Sequence, residues 1–228
     1  MKIDVYASGS GGNCYRLSDG ATTIFLECGI PCKQIMKKIR FEIRSIAGVL
    51  LSHNHMDHAK AAKDLADFGI DIYSGEGTFK ALGLSGYHFK VVRALQSFDI
   101  GTLNIFPFDV QHDVPEPLGY LITSKATGER LLFFTDTYYI KYRFPSVDIL
   151  MGEVNYSLDT IDKDICQSRR NRLMESHMSL EHFKEFLKAN DLSKLKRIYL
   201  LHLSDDNSSE EFFKREIQKL TGAEVTVC

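Results

Sequence analysis

An apolar run at residues 46–51 passes without a break into Ser52-His53-Asn54-His55-Met56-Asp57-His58, and the next ten residues, AKAAKDLADF, carry helical periodicity. A strand that feeds a helix through a short polar loop is the building unit of α/β folds. Its loop side chains emerge at the carboxyl edge of a sheet, where ligand and catalytic sites collect. His53, His55, Asp57 and His58 are imidazoles and a carboxylate, the usual ligands of zinc and other first-row divalent ions. Alternation along an extended segment sends His53 and His55 the same way. A helix starting at Asp57 turns Asp57 and His58 toward a neighbouring point, so the spacing suits two adjacent ions better than one.

The rest of the chain has the same grammar. Short β-rich runs at 2–7, 14–17 and 22–27 are separated by a glycine-rich turn at 8–13 and an Asp-Gly turn at 19–20. Pro31 opens an amphipathic helix that runs to about Arg40. Strands are expected at 71–73, 89–93, 103–110, 119–123, 131–135 and 147–151, with a short helix at 76–82. Helix (180–189), strand (197–201), helix (209–220) and strand (224–227) then alternate to the end. No repeat, low-complexity tract or Pro/Gly/Ser-rich linker divides the 228 residues, so a single domain, 1–228, is expected. Two strand-rich halves, each followed by helices, predict two sheets face to face with helices outside, a four-layer αββα sandwich.

Composition narrows the function classes. Twenty-eight basic residues against 30 acidic give a net charge of -2, which excludes a disordered acidic chain and a broadly basic nucleic-acid coat protein. The five cysteines are odd in number and form no C-x-x-C pair, so reduced thiols in a cytoplasm are expected rather than a disulfide framework. The first residues lack a basic region followed by an apolar core, and no run approaches about 18 apolar residues. Neither a signal peptide nor a membrane span is therefore expected.

The segment His53-Asn54-His55-Met56-Asp57-His58 resembles the H-x-H-x-D-H signature of the metallo-β-lactamase superfamily. His112 in FPFDVQHDVPEPLGY, Asp136 in LLFFTDT and His202 in IYLLHLSDDNSSEE stand in the order of that family's remaining ligands. The resemblance implies that His53, His55 and His112 hold one ion, that Asp57, His58 and His202 hold a second, and that Asp136 bridges them. The segments SGSGGNCY, HDVPEPLGY, GEVNYS, RNRLMESHMSLE and LLHLSDDNSSEE together resemble the YycJ/WalJ group, a branch related to tRNase Z and RNase J. That group implies a metal-dependent, exonuclease-like phosphodiesterase acting on DNA, with zinc or manganese as the expected metal. Two departures stand out. Glu27 replaces the family's usual aspartate, and Tyr156 stands where a histidine often follows the Glu-x-Asn unit.

Two divalent ions about 3.5–4 Å apart trap a hydroxide and clamp a phosphoryl oxygen, so no Ser, Cys or Lys nucleophile is required. The sequence agrees, since it contains neither a Ser-centred elbow nor a G-x-x-x-x-G-K-[ST] loop. Asp57 and His177 are the expected catalytic residues; His177 matches the extra histidine of the phosphodiesterase branch and is assigned to the leaving alkoxide. Arg169, Arg170 and Arg172 form the densest basic cluster and are expected, with Asn155, to contact substrate. Asp113 and Glu153 are expected to orient ligand imidazoles. His88 and His182 match no motif and are read as surface or packing residues. The expected partner is nucleic acid, DNA favoured, with a cyclic nucleotide or another small phosphodiester as the alternative. A tRNA 3′-processing enzyme, a thioester or lactone hydrolase and a non-catalytic binding protein are ranked lower, and oligomeric state is left open.

Overall fold

The computed structural model describes residues 1–161, 166–204 and 206–228, with Arg169 described by its backbone. The chain divides into two compact units. One comprises Met1–Asp109 and Val114–Glu129, the other Val110–Asp113 and Arg130–Cys228.

The first unit opens with three antiparallel strands, β1 (Lys2–Ala7), β2 (Cys14–Ser18) and β3 (Thr23–Leu26). Then follow α1 (Cys32–Lys38), the short β4 (Val49–Leu50), α2 (Met56–Ala59), α3 (Ala62–Asp67), β5 (Ile72–Ser74), α4 (Glu76–Leu82) and β6 (Phe89–Val91). Strands β3 to β6 pair in parallel, so their carboxyl ends share one edge. Glu27 follows β3 and Ser52–His58 follow β4, which brings both to that edge. Ile35 and Ile39 pack with Val49, Leu51, Leu65, Ile72 and Phe79 to form the apolar core beneath it. An antiparallel trio, β7 (Phe98–Ile100), β8 (Leu103–Asp109) and β9 (Leu118–Ser124), completes the unit.

Two expected elements are shorter than their hydrophobic pattern. The run 46–51 yields ladder residues only at Val49–Leu50, because the Ile46 N–H closes a one-turn helix on the Ile43 carbonyl. The helix expected at 59–68 breaks between α2 and α3, where the Ala61 N–H donates to the Cys28 carbonyl at 2.9 Å. A local turn shortens the strand, whereas at the helix a long-range bond has overridden local propensity.

Asp19 ties the first turn to the antiparallel trio. Its carboxylate accepts from Thr102 Oγ1 and Ser124 Oγ, each at 2.7 Å, and from the N–H groups of Thr22 (2.8 Å) and Ala21 (3.0 Å). Partial burial opposes the charge, but these donors outweigh it and hold the carboxyl down at about 2. A carboxyl lowered on folding stabilises the protein fully above its unfolded pKa, near 3.8, and loses that contribution as pH falls through about 2. Asp19→Asn is therefore expected to lower the urea midpoint at neutral pH. The gap from wild type should close as titration proceeds below about pH 4.

In the second unit, β10 (Arg130–Phe134), β11 (Ile149–Glu153), β12 (Arg197–Leu201) and β13 (Glu224–Val227) are all parallel. The sequences of β10, β11 and β12 are mostly apolar runs, as strands covered on both faces require, while the edge strand β13 alternates, with Glu224 and Thr226 exposed. The register pairs Phe134 with Gly152 and Glu153 with Leu201. Asp136, Glu153 and His202 are thereby set side by side at one carboxyl edge, on strands about 4.8 Å apart. The helices are α5 (Gln167–Ser176), α6 (Leu180–Ala189) and α7 (Glu210–Thr221). Gly152 lets α6 lie close to the sheet, since a Cβ there would stand 2.6 Å from the Phe134 ring and 2.7 Å from Phe183. Helix α5 was not expected from periodicity. Its residues are almost all polar or exposed, so it lacks the apolar stripe that betrays a helix in sequence. No helix among the described residues is long and apolar enough to cross a membrane.

Candidate metal centre

In the first unit, the loop after β4 gathers three imidazoles, His55 edge-on to His53 and His58 tilted against it. The His53 ring centroid is 4.7 Å from that of His55 and 4.2 Å from that of His58. His53 Nδ1 is engaged by Ser52 Oγ at 2.8 Å. His58 Nε2 lies 3.3 Å from Asp57 Oδ2 and 3.1 Å from Asn13 Nδ2. His58 Nδ1 lies 3.5 Å from Glu27 Oε2. Glu27 is fully buried, accepts the Ser52 N–H at 3.1 Å and adopts a φ of 60°. Burial pushes its carboxyl up, against the pull of His58 and Ser52.

In the second unit, Asp136, Glu153, His177 and His202 each offer a ligand atom within 4.8 Å of one another. Glu153, fully buried, accepts the Thr137 N–H at 2.9 Å and His177 Nδ1 at 2.5 Å, and its Oε1 lies 3.5 Å from His202 Nδ1. Burial would raise the Glu153 carboxyl, but the His177 charge and hydrogen bonds outweigh it and hold the carboxyl below its usual range. Burial likewise works against a charged His177, and Glu153 overcomes it, raising that imidazole. His177 and His202 stack with centroids 5.5 Å apart. His112 Nδ1 is 3.1 Å from the Ser176 carbonyl, and its Nε2 is 3.9 Å from Asp136 Oδ2. Burial lowers the His112 pKa and favours the neutral ring, the form that binds a metal.

Asp136 and His202 share with Glu27 an unusual backbone. Each follows a parallel strand in the left-handed region, with φ of 44° and 54° for Asp136 and His202. Non-glycine residues bear such strain where the surrounding structure forces it, and it clusters at functional sites. These donors fit a divalent cation. Two nearly fully buried carboxylates, Asp136 and Glu153, converge with imidazoles, and that concentration of lone pairs calls for positive charge. His53, His58, His112, His177 and His202 each have Nδ1 beside a protein partner, the arrangement that orients ligating imidazoles.

The family profile described as "Beta-lactamase superfamily domain" matches residues 31–203. The chain belongs to the β-lactamase superfamily. This superfamily member is 27% identical over 229 residues to the exodeoxyribonuclease WalJ of Streptococcus pneumoniae serotype 2, covering 92% of this chain and 84% of that protein. It is 24% identical over 236 residues to the exodeoxyribonuclease YycJ of Bacillus anthracis, covering 96% of this chain and 89% of that one. Its structure is similar to the metallo-β-lactamase fold protein YhfI from Bacillus subtilis. The TM-score is 0.76 at 17% identity, over 99% of this chain and 95% of that one. A likeness at that identity establishes the fold, which is the α/β metallo-β-lactamase fold expected from sequence. Its class is metal-dependent hydrolase.

Other residues expected at the site of this superfamily member are placed as follows. Asn155 is 5% exposed, and its amide donates to the His202 carbonyl at 2.8 Å and lies 3.2 Å from His202 Nδ1. Asp113 is exposed; its Oδ1 is 3.4 Å from His112 Nδ1, while its Oδ2 is 4.0 Å from Arg172 Nε. Arg170 and Arg172 project from α5, half-buried and exposed respectively, and the Arg169 side chain lies outside the described residues. Tyr156 is buried, and its carbonyl accepts the Leu180 N–H at 2.8 Å, so it serves the backbone at the start of α6. His88 pairs with Asp71 at 2.8 Å.

Sequence reasoning missed Asn13, Ser52, Thr137 and the Ser176 carbonyl as groups that hold the imidazoles and Glu153. Only the SGSGGN turn, which contains Asn13, carried a signal. Glu153→Gln keeps an acceptor for Thr137 but removes the charge facing His177 and His202. It is expected to weaken metal affinity about 10–100-fold with the fold intact, as read by competition with a chelating dye and by thermal melting.

Proposed function

We propose that this protein is a dinuclear metal-dependent phosphodiesterase that acts as a nuclease, removing nucleotides from DNA ends. The reading rests on the two exodeoxyribonuclease relatives, which align with more than nine-tenths of the chain. The observation that carries it is the His177–Glu153 hydrogen bond, 2.5 Å long and beside Asp136 and His202. Phosphodiester cleavage releases an alkoxide that must be neutralised, and a paired acid beside the metal ligands serves that step.

Following the family signature, His53, His55 and His112 are assigned to one ion, Asp57, His58 and His202 to the other, and Asp136 to both, with zinc or manganese as the metal. Divalent ions at these residues supply Lewis-acid polarisation of a phosphoryl oxygen and a water of lowered pKa. Glu153 favours the protonated His177 ring, which donates its proton to the leaving oxygen as the P–O bond breaks. Asn155 and the Ser176 carbonyl fix the His202 and His112 rings, which removes the cost of ordering them at each turnover. Arg170 and Arg172, with Arg169, grip the flanking phosphates without reading sequence. The signature runs through both units, and we infer that the chain works as one domain. The five free cysteines accord with a cytoplasmic location.

The experiment is a panel of metal-loaded assays on end-labelled single- and double-stranded DNA, RNA, a cyclic mononucleotide and bis(4-nitrophenyl) phosphate. Chelator-sensitive release of mononucleotides from DNA ends is the expected result. Turnover of the cyclic nucleotide in preference to DNA would replace the nuclease with a small-phosphodiester enzyme. Inactivity on every phosphodiester would overturn the reading.

A further inference from the structure

The segment that leaves Asp136 is Thr137-Tyr138-Tyr139-Ile140-Lys141-Tyr142-Arg143, in which aromatic and basic residues interleave. Tyr138 and Tyr139 are 37% and 53% exposed, an unusual placement for two consecutive large rings. The loop that carries them is held at both ends and in the middle. Thr137, fully buried, donates through Oγ1 to the Tyr139 carbonyl at 2.9 Å, and the Tyr138 N–H donates to the Gln111 carbonyl at 3.2 Å. Ile140 is buried at the loop's centre, and the Phe144 N–H donates to Asn190 Oδ1 at 2.7 Å. The same Thr137 gives its N–H to Glu153. One residue thus fixes both the aromatic loop and the carboxylate that holds His177.

A groove of about 270 Å³ runs along this loop, walled by Tyr139, Tyr142, Lys141 and Arg143 on one side and by His182 and Phe186 of α6 on the other. Lys141 Nζ lies 5.0 Å from the Tyr142 ring centroid. Glu185, on α6, is the acidic residue in the lining. Exposed aromatic faces give a purchase for stacking that every base shares, and neighbouring cations follow the phosphates. Pre-ordering by Thr137, Ile140 and Asn190 means that little entropy is lost when a base lands there.

We propose that the 138–143 loop is a stacking site for a nucleotide adjoining the scissile phosphate, and that it selects single-stranded nucleic acid without reading its sequence. Tyr139, in the groove wall, stacks the base, the exposed Tyr138 beside it covers the base from outside the groove, and Lys141 and Arg143 contact the backbone. The assignment rests on the nuclease reading above and names the part of the substrate that this loop takes.

Two measurements test it separately from that reading. The first is fluorescence anisotropy of a fluorescein-labelled oligothymidylate of about 12 nucleotides with metal-loaded protein. The second is steady-state hydrolysis of the same oligonucleotide and of bis(4-nitrophenyl) phosphate. The double variant Tyr138→Ala/Tyr139→Ala is expected to weaken oligonucleotide binding, and raise its KM, by about tenfold or more. The small diester, which has no neighbouring base, should lose several-fold less. Tyr139→Phe and Tyr139→Trp are expected to retain binding, since each keeps a ring, and Arg143→Gln to flatten its salt dependence. Unchanged anisotropy in the double variant would overturn the stacking site, as would an equal loss on both substrates, which marks a structural role. Wild-type protein that hydrolyses neither substrate overturns the nuclease reading, whatever the anisotropy shows.

Discussion

Asp57→Ala is expected to reduce phosphodiester hydrolysis by about 10³-fold or more while the protein stays folded. The two consequences separate because the side chain and the backbone of Asp57 do different jobs. Its carbonyl accepts the Asn13 N–H at 2.6 Å and Asn13 Nδ2 at 3.3 Å, and this clamp survives loss of the carboxylate. The carboxylate is one-quarter exposed, with Oδ2 3.3 Å from His58 Nε2, so its removal leaves no buried cavity. A melting temperature within about 3 °C of wild type, together with reduced metal content, is the expected pattern. Near-wild-type turnover with full metal content would remove Asp57 from the machinery. A large fall in melting temperature would show that the carboxylate holds the loop.

Gly29→Ala is expected to do the reverse, destabilising the fold by about 3 kcal/mol or more and losing activity as a consequence. A Cβ at position 29 would stand 1.6 Å from the Asp57 carbonyl oxygen, 2.1 Å from its carbon and 2.7 Å from the His58 nitrogen. These are backbone atoms, which have no rotamer in which to escape. They belong to the segment held by Cys28 N–H to the His58 carbonyl (2.8 Å) and by Asn13 N–H to the Asp57 carbonyl (2.6 Å). Any shift that relieves the clash breaks those bonds and displaces His58 from Glu27. Gly11→Ala is the control, since a Cβ there meets nothing within 4 Å. Urea unfolding should show a lowered midpoint for Gly29→Ala alone. Equal midpoints would mean that the loop tolerates displacement.

Much of the fold could be read before any coordinates. Strands β10, β11 and β12 of the second unit are mostly apolar runs, and α6 begins at Leu180 as its amphipathic pattern requires, with Ser179 accepting the His182 N–H as its cap. Helix α5 could not be read, because a polar, exposed helix has no periodicity to betray it. Strand β4 was overestimated because Ile46 and Leu51 are buried like Val49 and Leu50 although neither is a paired ladder residue.

The same division holds at the site. The residue types, and their order from His53 to His202, follow from the sequence, since metal chemistry demands imidazoles and carboxylates and the family signature names their positions. Which groups hold those rings was decided by tertiary structure. Glu27 is 31 residues from His58 in the chain, and Ser176 is 64 from His112. Glu153 reaches His177 from the end of β11. Neighbours of this kind arise from strand register and helix placement; among them the Glu-x-Asn unit marks Glu153 alone in the sequence, and without its partner. For Glu27 the sequence showed only a departure from aspartate; the structure shows a buried carboxyl group in a left-handed turn, 3.5 Å from His58 Nδ1.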